Sequence, residues 1–352
     1  MPVPDPTETG GRAGVKPPEG FTTDWRRMVR GSYIAVDCDP ATASLTLSHH
    51  LDGNGTPPPF RHDLASGAAL NWVASELRDE YGRGARHVYN NHFDVDGFLA
   101  AWVALNPDEA VHHRDAILAA AASGDFAEWT NDRAVQFAIL GEWIDDPKYS
   151  AVARRALDLK ERSSDEAMYD AVLAELPGLL YHPENMEELW RPLYEDIRRQ
   201  VHLFETGEAQ VREHADAHLS VVETPRVLRP RAVIAKARGD RLLQSVHAGG
   251  GHMYFFRYRP YLGYRIVSRP VTQTVSASEL ARRLNRAWPT EGERWVARGW
   301  WDREVMLTAK DGKKTVPRTP PEVAVPIFED VLRSLDGSTS AEGARPSMAA
   351  RS

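Results

Sequence analysis

A single cysteine, Cys38, is all the thiol chemistry this 352-residue chain holds. An internal disulfide is therefore excluded, and so is a zinc cluster built on several thiolates. Long apolar runs are missing too: no stretch approaches the ~18 residues that a membrane-spanning helix requires. The N-terminus, Met1-Pro2-Val3-Pro4-Asp5, places no basic region ahead of an apolar one, so a secretory leader is not expected. Excess positive charge is lacking as well. The net charge of −7 argues against a general nucleic-acid coat or an anionic-membrane binder, while leaving room for a local basic face. Together these absences lead to the expectation of a cytoplasmic protein with no membrane contact.

What remains is a globular composition, 42% apolar and 26% charged, on a chain long enough for two domains or for one with a sizeable insertion. Residues 1–22, rich in Pro, Gly and charge, are expected to be disordered, as is the Ser/Ala/Gly-rich tail 337–352. From 23 to 146 strand-like and helix-like runs alternate. Ser32 to Val36 reads as a strand ending at Asp37-Cys38-Asp39-Pro40, and Leu64 to Leu77 as a helix with Asp63 as its N-cap. Arg86 to Tyr89 follows as a strand, and Gly97 to Leu105 as a helix stopped by Asn106-Pro107. Asp108 to Ala122 and Glu128 to Leu140 look helical.

From 147 to 225 apolar residues recur at three and four spacing, in Ala151 to Leu159, Asp165 to Leu176 and Pro183 to Val222, which predicts a helical insertion or linker. From 226 to 336 short β-like runs dominate: Ala232 to Ala237, Leu242 to Val246, His252 to Tyr258, Tyr264 to Ser268, Arg294 to Arg298 and Glu304 to Thr308. Ser278 to Trp288 and Glu322 to Leu335 read as helices among them. The predicted fold class is α/β and two-lobed: a parallel-strand-containing N-terminal layer, a helical insertion and a smaller α+β C-terminal lobe, with the site between the lobes.

The most informative string is Asn90-Asn91-His92-Phe93-Asp94-Val95-Asp96-Gly97, which lies where a strand hands over to a helix. It offers an imidazole and two carboxylates at alternating positions, donors that suit Mn, Fe or Zn, whereas oxygen ligands alone suit Mg. Asp and Asn also favour turns and helix caps without any metal, which is the plain alternative. Upstream, Asp37-x-Asp39 ends the first strand and His49-His50 follows. Neighbouring parallel strands converge at their carboxyl ends, so Asp39, His49 or His50 can face His92 and Asp94.

His92, Asp94, Asp96, Gly97, Ala100 and Ala101 follow the pattern His-x-Asp-x-Asp-Gly plus small residues, and in this the string resembles the first motif of the DHH phosphoesterase superfamily. The resemblance implies a two-lobed α/β hydrolase that uses two metal ions, usually manganese with magnesium as the other candidate, to cleave phosphoester or phosphoanhydride bonds. It implies that His92, Asp94 and Asp96 hold metal, with Asp94 and Asp96 central to catalysis and Asn91 beside the substrate. Gly249-Gly250-Gly251-His252 is similar to the Gly-Gly-Gly-His string that binds substrate phosphate in that superfamily, although a glycine hairpin explains it as well. No Asp-His-His triplet exists here; the nearest string is Val111-His112-His113-Arg114-Asp115, so His113 and Asp125 are the candidates to complete a binuclear site, with Asp39 as a further ligand.

Phe93-Asp94-Val95-Asp96-Gly97 also resembles the opening motif of haloacid-dehalogenase-like phosphatases, with Asp145-Asp146 as a downstream acidic pair. Phe98 and the polar residues before the motif depart from that family. Arg257 and Arg259, interleaved with Tyr258 and Tyr261, are candidates to hold a phosphate or stack a base. His214 and His218 have an i, i+4 spacing that reads as a solvated helix face. The expected function is metal-dependent hydrolysis of a phosphorylated small molecule or short oligonucleotide, by a chain able to form a homodimer. The alternative is a catalytically inactive DHH-like protein that binds a ligand or partner.

Overall fold

The computed structural model describes residues 18, 20–22, 32–50, 55–144, 148, 164–259, 267, 276–288, 290–298, 304–309 and 318–342. The chain divides into two compact units. The first comprises Met1–Asp125, Thr130–Trp190 and Tyr264–Ser268; the second comprises Phe126–Trp129, Arg191–Gly263 and Arg269–Ser352. Among the described residues no helix is long and apolar enough to cross a membrane.

The first unit carries a four-stranded sheet in the order β1-β4-β2-β3, from β1 (Gly20–Thr22), β2 (Tyr33–Val36), β3 (Leu45–Leu47) and β4 (His87–Tyr89). Every pairing in it is parallel. β2 and β3 are buried at each position, as expected of parallel strands covered on both faces. β1 lies inside the segment expected to be disordered, because its backbone pairs with β4 from Gly20 opposite His87 to Thr22 opposite Tyr89.

The helices of this unit are α1 (Ala65–Val73), α2 (Arg78–Tyr81), α3 (Val95–Leu105), α4 (Pro107–Ala110), α5 (Arg114–Asp125), α6 (Asp132–Trp143) and α7 (Ser164–Tyr181). α3 starts where Asp94, in extended conformation, accepts the Gly97 amide. It is apolar on all sides and buried from Val95 to Ala104, the signature of a core helix. α1 departs from its expected start. Leu64 occupies its cap position, and the amides of Ala65 and Ser66 donate instead to the carboxylate of Asp96 in α3, 31 and 30 residues downstream. Asp63, the expected cap, accepts the Val267 amide.

The second unit is built on a six-stranded sheet in the order β5-β6-β7-β8-β10-β9. Its strands are β5 (Gln210–His214), β6 (Leu219–Thr224), β7 (Arg241–Ala248), β8 (Gly251–Tyr258), β9 (Glu293–Arg298) and β10 (Glu304–Ala309). β6 and β7 run parallel and the other neighbours antiparallel. The accompanying helices are α8 (Glu187–Glu205), most of which belongs to this unit, α9 (Pro230–Ile234), α10 (Ala277–Ala287) and α11 (Pro321–Glu342). Trp295 is buried at the heart of its core, with ring centroids of Phe328, Trp288 and Tyr254 at 4.7, 5.4 and 6.2 Å. α10 buries Ala277, Leu280, Ala281 and Leu284 on one stripe, and Ser276 caps it by accepting the Glu279 amide.

Several local expectations are corrected here. The helical run expected to reach Val222 stops at Glu205, because Gly207 takes a left-handed φ of +80° and the buried, β-branched Val221-Val222 pair pairs into the sheet. His214 therefore ends a strand and His218 sits at φ +48°, so they share no helix face. Ala232 to Ala237, expected as a strand, begins inside α9, where Pro230 stands in the first turn. α11 continues past Gly337 into the expected tail. Ala151 to Leu159 and Asp145-Asp146 lie outside the described residues, as does Tyr264 to Ser268 apart from Val267.

Candidate metal centre

Asp37 follows the last residue of β2 and is the hub of the site. Its φ of +51° puts a non-glycine residue in the left-handed region, a strain of order 1–3 kcal/mol that surrounding structure must hold in place. Its amide is held by the Leu47 carbonyl at 3.2 Å, at the end of the neighbouring strand. The side chain is 1% exposed, and neither carboxylate oxygen has a hydrogen bond of good geometry among the described residues. Imidazoles surround it nonetheless. Oδ1 faces His49 Nε2 at 3.3 Å and His50 Nε2 at 3.4 Å, while Oδ2 faces His92 Nε2 at 3.2 Å.

Each histidine is aimed by its other atoms. His49 Nδ1 donates to the Asp63 carbonyl at 2.7 Å, leaving Nε2 for Asp37 and, at 3.6 Å, for Asp125. The backbone on either side of His49 is pinned: Thr56 bonds both the amide and the carbonyl of Ser48, and the His50 amide donates to Ser48 Oγ. His92 Nδ1 donates to Asn91 Oδ1 at 2.7 Å, and its Nε2 lies 3.1 Å from Asp94 Oδ2. Asp94 thus uses Oδ1 to cap α3 and Oδ2 to face the cluster.

Asp96 is fully buried, and both its oxygens accept the α1 amides, at 2.6 and 2.9 Å. It also stands near His49 and Asp125. Three sets of potential ligand atoms fall within 4.8 Å of one another: Asp37, His49 and His50; Asp37, His92 and Asp94; His49, Asp96 and Asp125. All seven residues belong to the first unit.

The electrostatics follow from burial and this crowding. Burial raises the Asp37 carboxyl, but its contacts with His49, His50 and His92 outweigh that and hold it well below the usual carboxylate range. Burial lowers His49 and His92, yet their carboxylate partners win and raise them to about 9 and about 10. Asp94 is raised by burial and by the Asp37 charge. Asp96 is raised to about 6 for the same two reasons. The metal-free cluster is therefore held together by imidazolium protons placed between carboxylates. The donor set fits a divalent cation: mixed imidazole nitrogen and carboxylate oxygen, around a buried Asp37 whose oxygens lack hydrogen-bond partners.

The structure brings His92, Asp94, Asp96 and Asp125 together and leaves other candidates apart. Asp39 accepts the Gly55 amide at 2.7 Å and is in none of the three ligand sets; it closes a loop. His113 is bonded to Tyr181 Oη at 2.8 Å and packs on Trp102, and it too is outside those sets. Gly249-Gly250 form a two-residue hairpin turn between β7 and β8, both at positive φ, and His252 contacts Ser245 Oγ. Arg259 is buried, and its guanidinium donates to the carbonyls of Gly239 and Ala237, which ties a loop. Arg257 lies on β8, where burial lowers its pKa.

The sequence pattern points to Asp39 as the ligand, but the strand end turns Asp37 inward instead, buried at 1% exposure among the three histidines. The paired histidines of the cluster are His49-His50, preceded by Ser48, and not His112-His113.

The sequence matches a Family of unknown function (DUF6687) over residues 23–319. No curated protein matches the chain. Among solved structures, the pGpG-specific phosphodiesterase PggH from Vibrio cholerae aligns over 85% of this chain and 81% of its own, at 12% identity and a TM-score of 0.32. At that level of likeness the site must be read from its own residues.

Proposed function

The chain belongs to the DUF6687 family, whose function is unknown, so we propose an activity from the site itself: metal-dependent hydrolysis of a phosphoester or phosphoanhydride. The observation that carries it is the Asp37 carboxylate, buried and facing one donor set with each oxygen: His49 and His50 at Oδ1, His92 with Asp94 at Oδ2. In this reading Asp37, His49 and His50 would hold one divalent cation, and Asp37, His92 and Asp94 a second. Asp125 supports the His49 side. When bound, such cations would supply positive charge for a phosphate and a more acidic water near neutral pH.

The residues of this chain do the rest. Asp63 fixes the His49 ring, Asn91 fixes the His92 ring, and the α3 amide of Gly97 fixes Asp94. His92 is the most exposed of the three histidines, with its side chain 41% accessible, and is the one a substrate from solvent would meet first. The resemblance of His92-x-Asp94-x-Asp96-Gly97 to the first motif of DHH phosphoesterases supports the same chemistry, while the imidazole pair beside Asp37 is His49-His50. It also supports manganese as the metal and a nucleotide or short oligonucleotide as the substrate. A second reading, a metal-binding protein without turnover, is favoured by Asp96, whose oxygens are already engaged by the α1 amides.

The test is metal content together with Mn²⁺-stimulated hydrolysis of a generic phosphodiester and of short oligonucleotides, for the wild type and for Asp37→Asn and Asp94→Asn. Metal binding and turnover that vanish together in the variants are the expected result. Tight binding with no turnover on any substrate selects the second reading, and no binding in the wild type overturns both.

A further inference from the structure

We propose that Tyr169 and Asn90 act as a positioning pair that holds the His92–Asp94 loop in register with Asp37; this rests on the metal-centre reading above. Tyr169 comes from α7, in the segment that looks like a mere helical insertion in the sequence. Its hydroxyl donates to the His92 carbonyl at 2.8 Å and accepts from Asn90 Nδ2 at 2.8 Å. Asn90 Oδ1 in turn accepts the Asn91 amide at 2.7 Å. Both side chains are fully buried. One hydroxyl therefore fastens the loop on both sides of Asn91, the residue that orients the His92 ring.

The surrounding packing serves the same arrangement. The Phe93 ring stands edge-on to Tyr169 at 5.2 Å and stacks on Phe98 at 5.4 Å. Gly97 leaves the space the pair occupies: a Cβ there would meet Asn90 Nδ2 at 2.2 Å, Asp94 Oδ1 at 2.8 Å and Tyr169 Oη at 3.1 Å. Asn90, Phe93 and Gly97 are thus accounted for by one contact set whose output is the placement of His92 and Asp94. The Tyr169 hydroxyl bonds the His92 carbonyl and the Asn90 amide, and Asn90 Oδ1 the Asn91 amide, so the pair acts through the backbone that carries the ligands. Outer partners that orient metal ligands typically carry about 10–100-fold in metal affinity or activity.

The experiment compares the full chain with Tyr169→Phe, which keeps the ring and deletes the hydroxyl, and with Asn90→Ala, which deletes the other end of the pair. Mn²⁺ affinity is read by calorimetry on metal-free protein, kcat and KM on bis(p-nitrophenyl) phosphate, and folding by circular dichroism. The expected result is Mn²⁺ binding weaker by about 10–100-fold in both variants, with kcat lowered, KM little changed and the fold retained. A variant that only melts earlier, with wild-type Mn²⁺ affinity and kcat once folded, overturns the proposal and reduces the pair to packing. If Tyr169→Phe does not fold, Asn90→Ala decides on the same criteria. A wild type that binds no Mn²⁺ overturns the metal-centre reading first, and the positioning role with it.

Discussion

The loop Asn90–Gly97 of the first unit and the turn Gly249–Gly250 of the second both leave a strand through glycine, but they need glycine for different reasons. At Gly97 the need is space: the position of a Cβ is already taken by the Asn90 amide. At Gly250 the need is the dihedral, a φ of +83°, with nothing within 4 Å of an added Cβ. The first glycine lets a buried polar side chain close over a carboxylate, and the second lets two strands reverse. Both strings look like phosphate chemistry in the sequence. What separates them is the company they keep: His92 and Asp94 meet a buried carboxylate from another strand, while His252 meets a serine hydroxyl and the ring of His247 across the hairpin.

The comparison makes Asp37 the residue whose loss has the largest effect. Asp37→Asn removes the shared charge that faces both donor sets, and the expected drop in Mn²⁺ affinity exceeds the roughly 100-fold upper range for outer-shell partners. Calorimetry on the metal-free protein measures it directly. Retained affinity would mean that His92 and Asp94 bind without the hub, and the contrast with the hairpin would then rest on the loop alone.

Gly97→Ala comes next. A Cβ 2.2 Å from Asn90 Nδ2 forces that buried side chain to move, and overpacking of this kind costs about 1–3 kcal/mol. Chemical denaturation is expected to show a loss in that range, together with weaker Mn²⁺ binding because Asp94 Oδ1 is the next atom in the way. A loss of stability with unaltered metal affinity would show that the loop's packing and its ligands are independent.

A smaller effect lies in pH. His49 and His92 are raised to about 9 and about 10 in the metal-free fold, against about 6.5 in an unfolded chain. The folded chain keeps those protons through neutral pH, so their stabilisation is complete below about 6.5 and is lost as pH rises through 9 to 10. Asp96, raised to about 6, acts in an earlier window and lowers stability as pH rises from about 4 to 6. Cation binding has to displace the imidazole protons, so Mn²⁺ affinity is expected to rise between pH 6.5 and 9 while metal-free Tm falls from pH 7 to 10. Calorimetry in buffers of different ionisation enthalpy reads the protons released. Binding without proton release would mean that His49 and His92 are not ligands.

Those residues were unequally legible in the sequence. His92 and Asp94 are visible because their spacing is local and a strand-to-helix junction is readable from hydrophobic pattern. The parallel sheet and the second lobe are legible for the same reason. The choice between Asp37 and Asp39 is not, because it turns on one left-handed dihedral that no local pattern encodes. Asp96 reads as a metal ligand and stands in one set with His49 and Asp125; that its carboxylate also accepts the first amides of a helix about thirty residues earlier is set by tertiary packing and is not legible. Tyr169 is further still, brought to His92 across 77 positions in a segment whose periodicity announces only a helix.

The smallest effect belongs to the hairpin, and it is the one that tests the contrast from the other side. Gly250→Ala puts a side chain at φ +83° in open space, so the cost is the dihedral alone, about 1–2 kcal/mol. His252→Ala removes a contact to Ser245 Oγ at 3.2 Å and ring contacts with His247 and Tyr254 at 5.1 and 6.1 Å. Both variants are expected to bind Mn²⁺ as the wild type does, with KM for a phosphodiester unchanged, because a two-residue turn with both glycines at positive φ is fully explained by strand reversal. A tenfold rise in KM at unaltered metal affinity would break the comparison. It would return Gly249 to His252 to the substrate's phosphate, and show that a turn can satisfy hairpin geometry and present its amides to an anion at once.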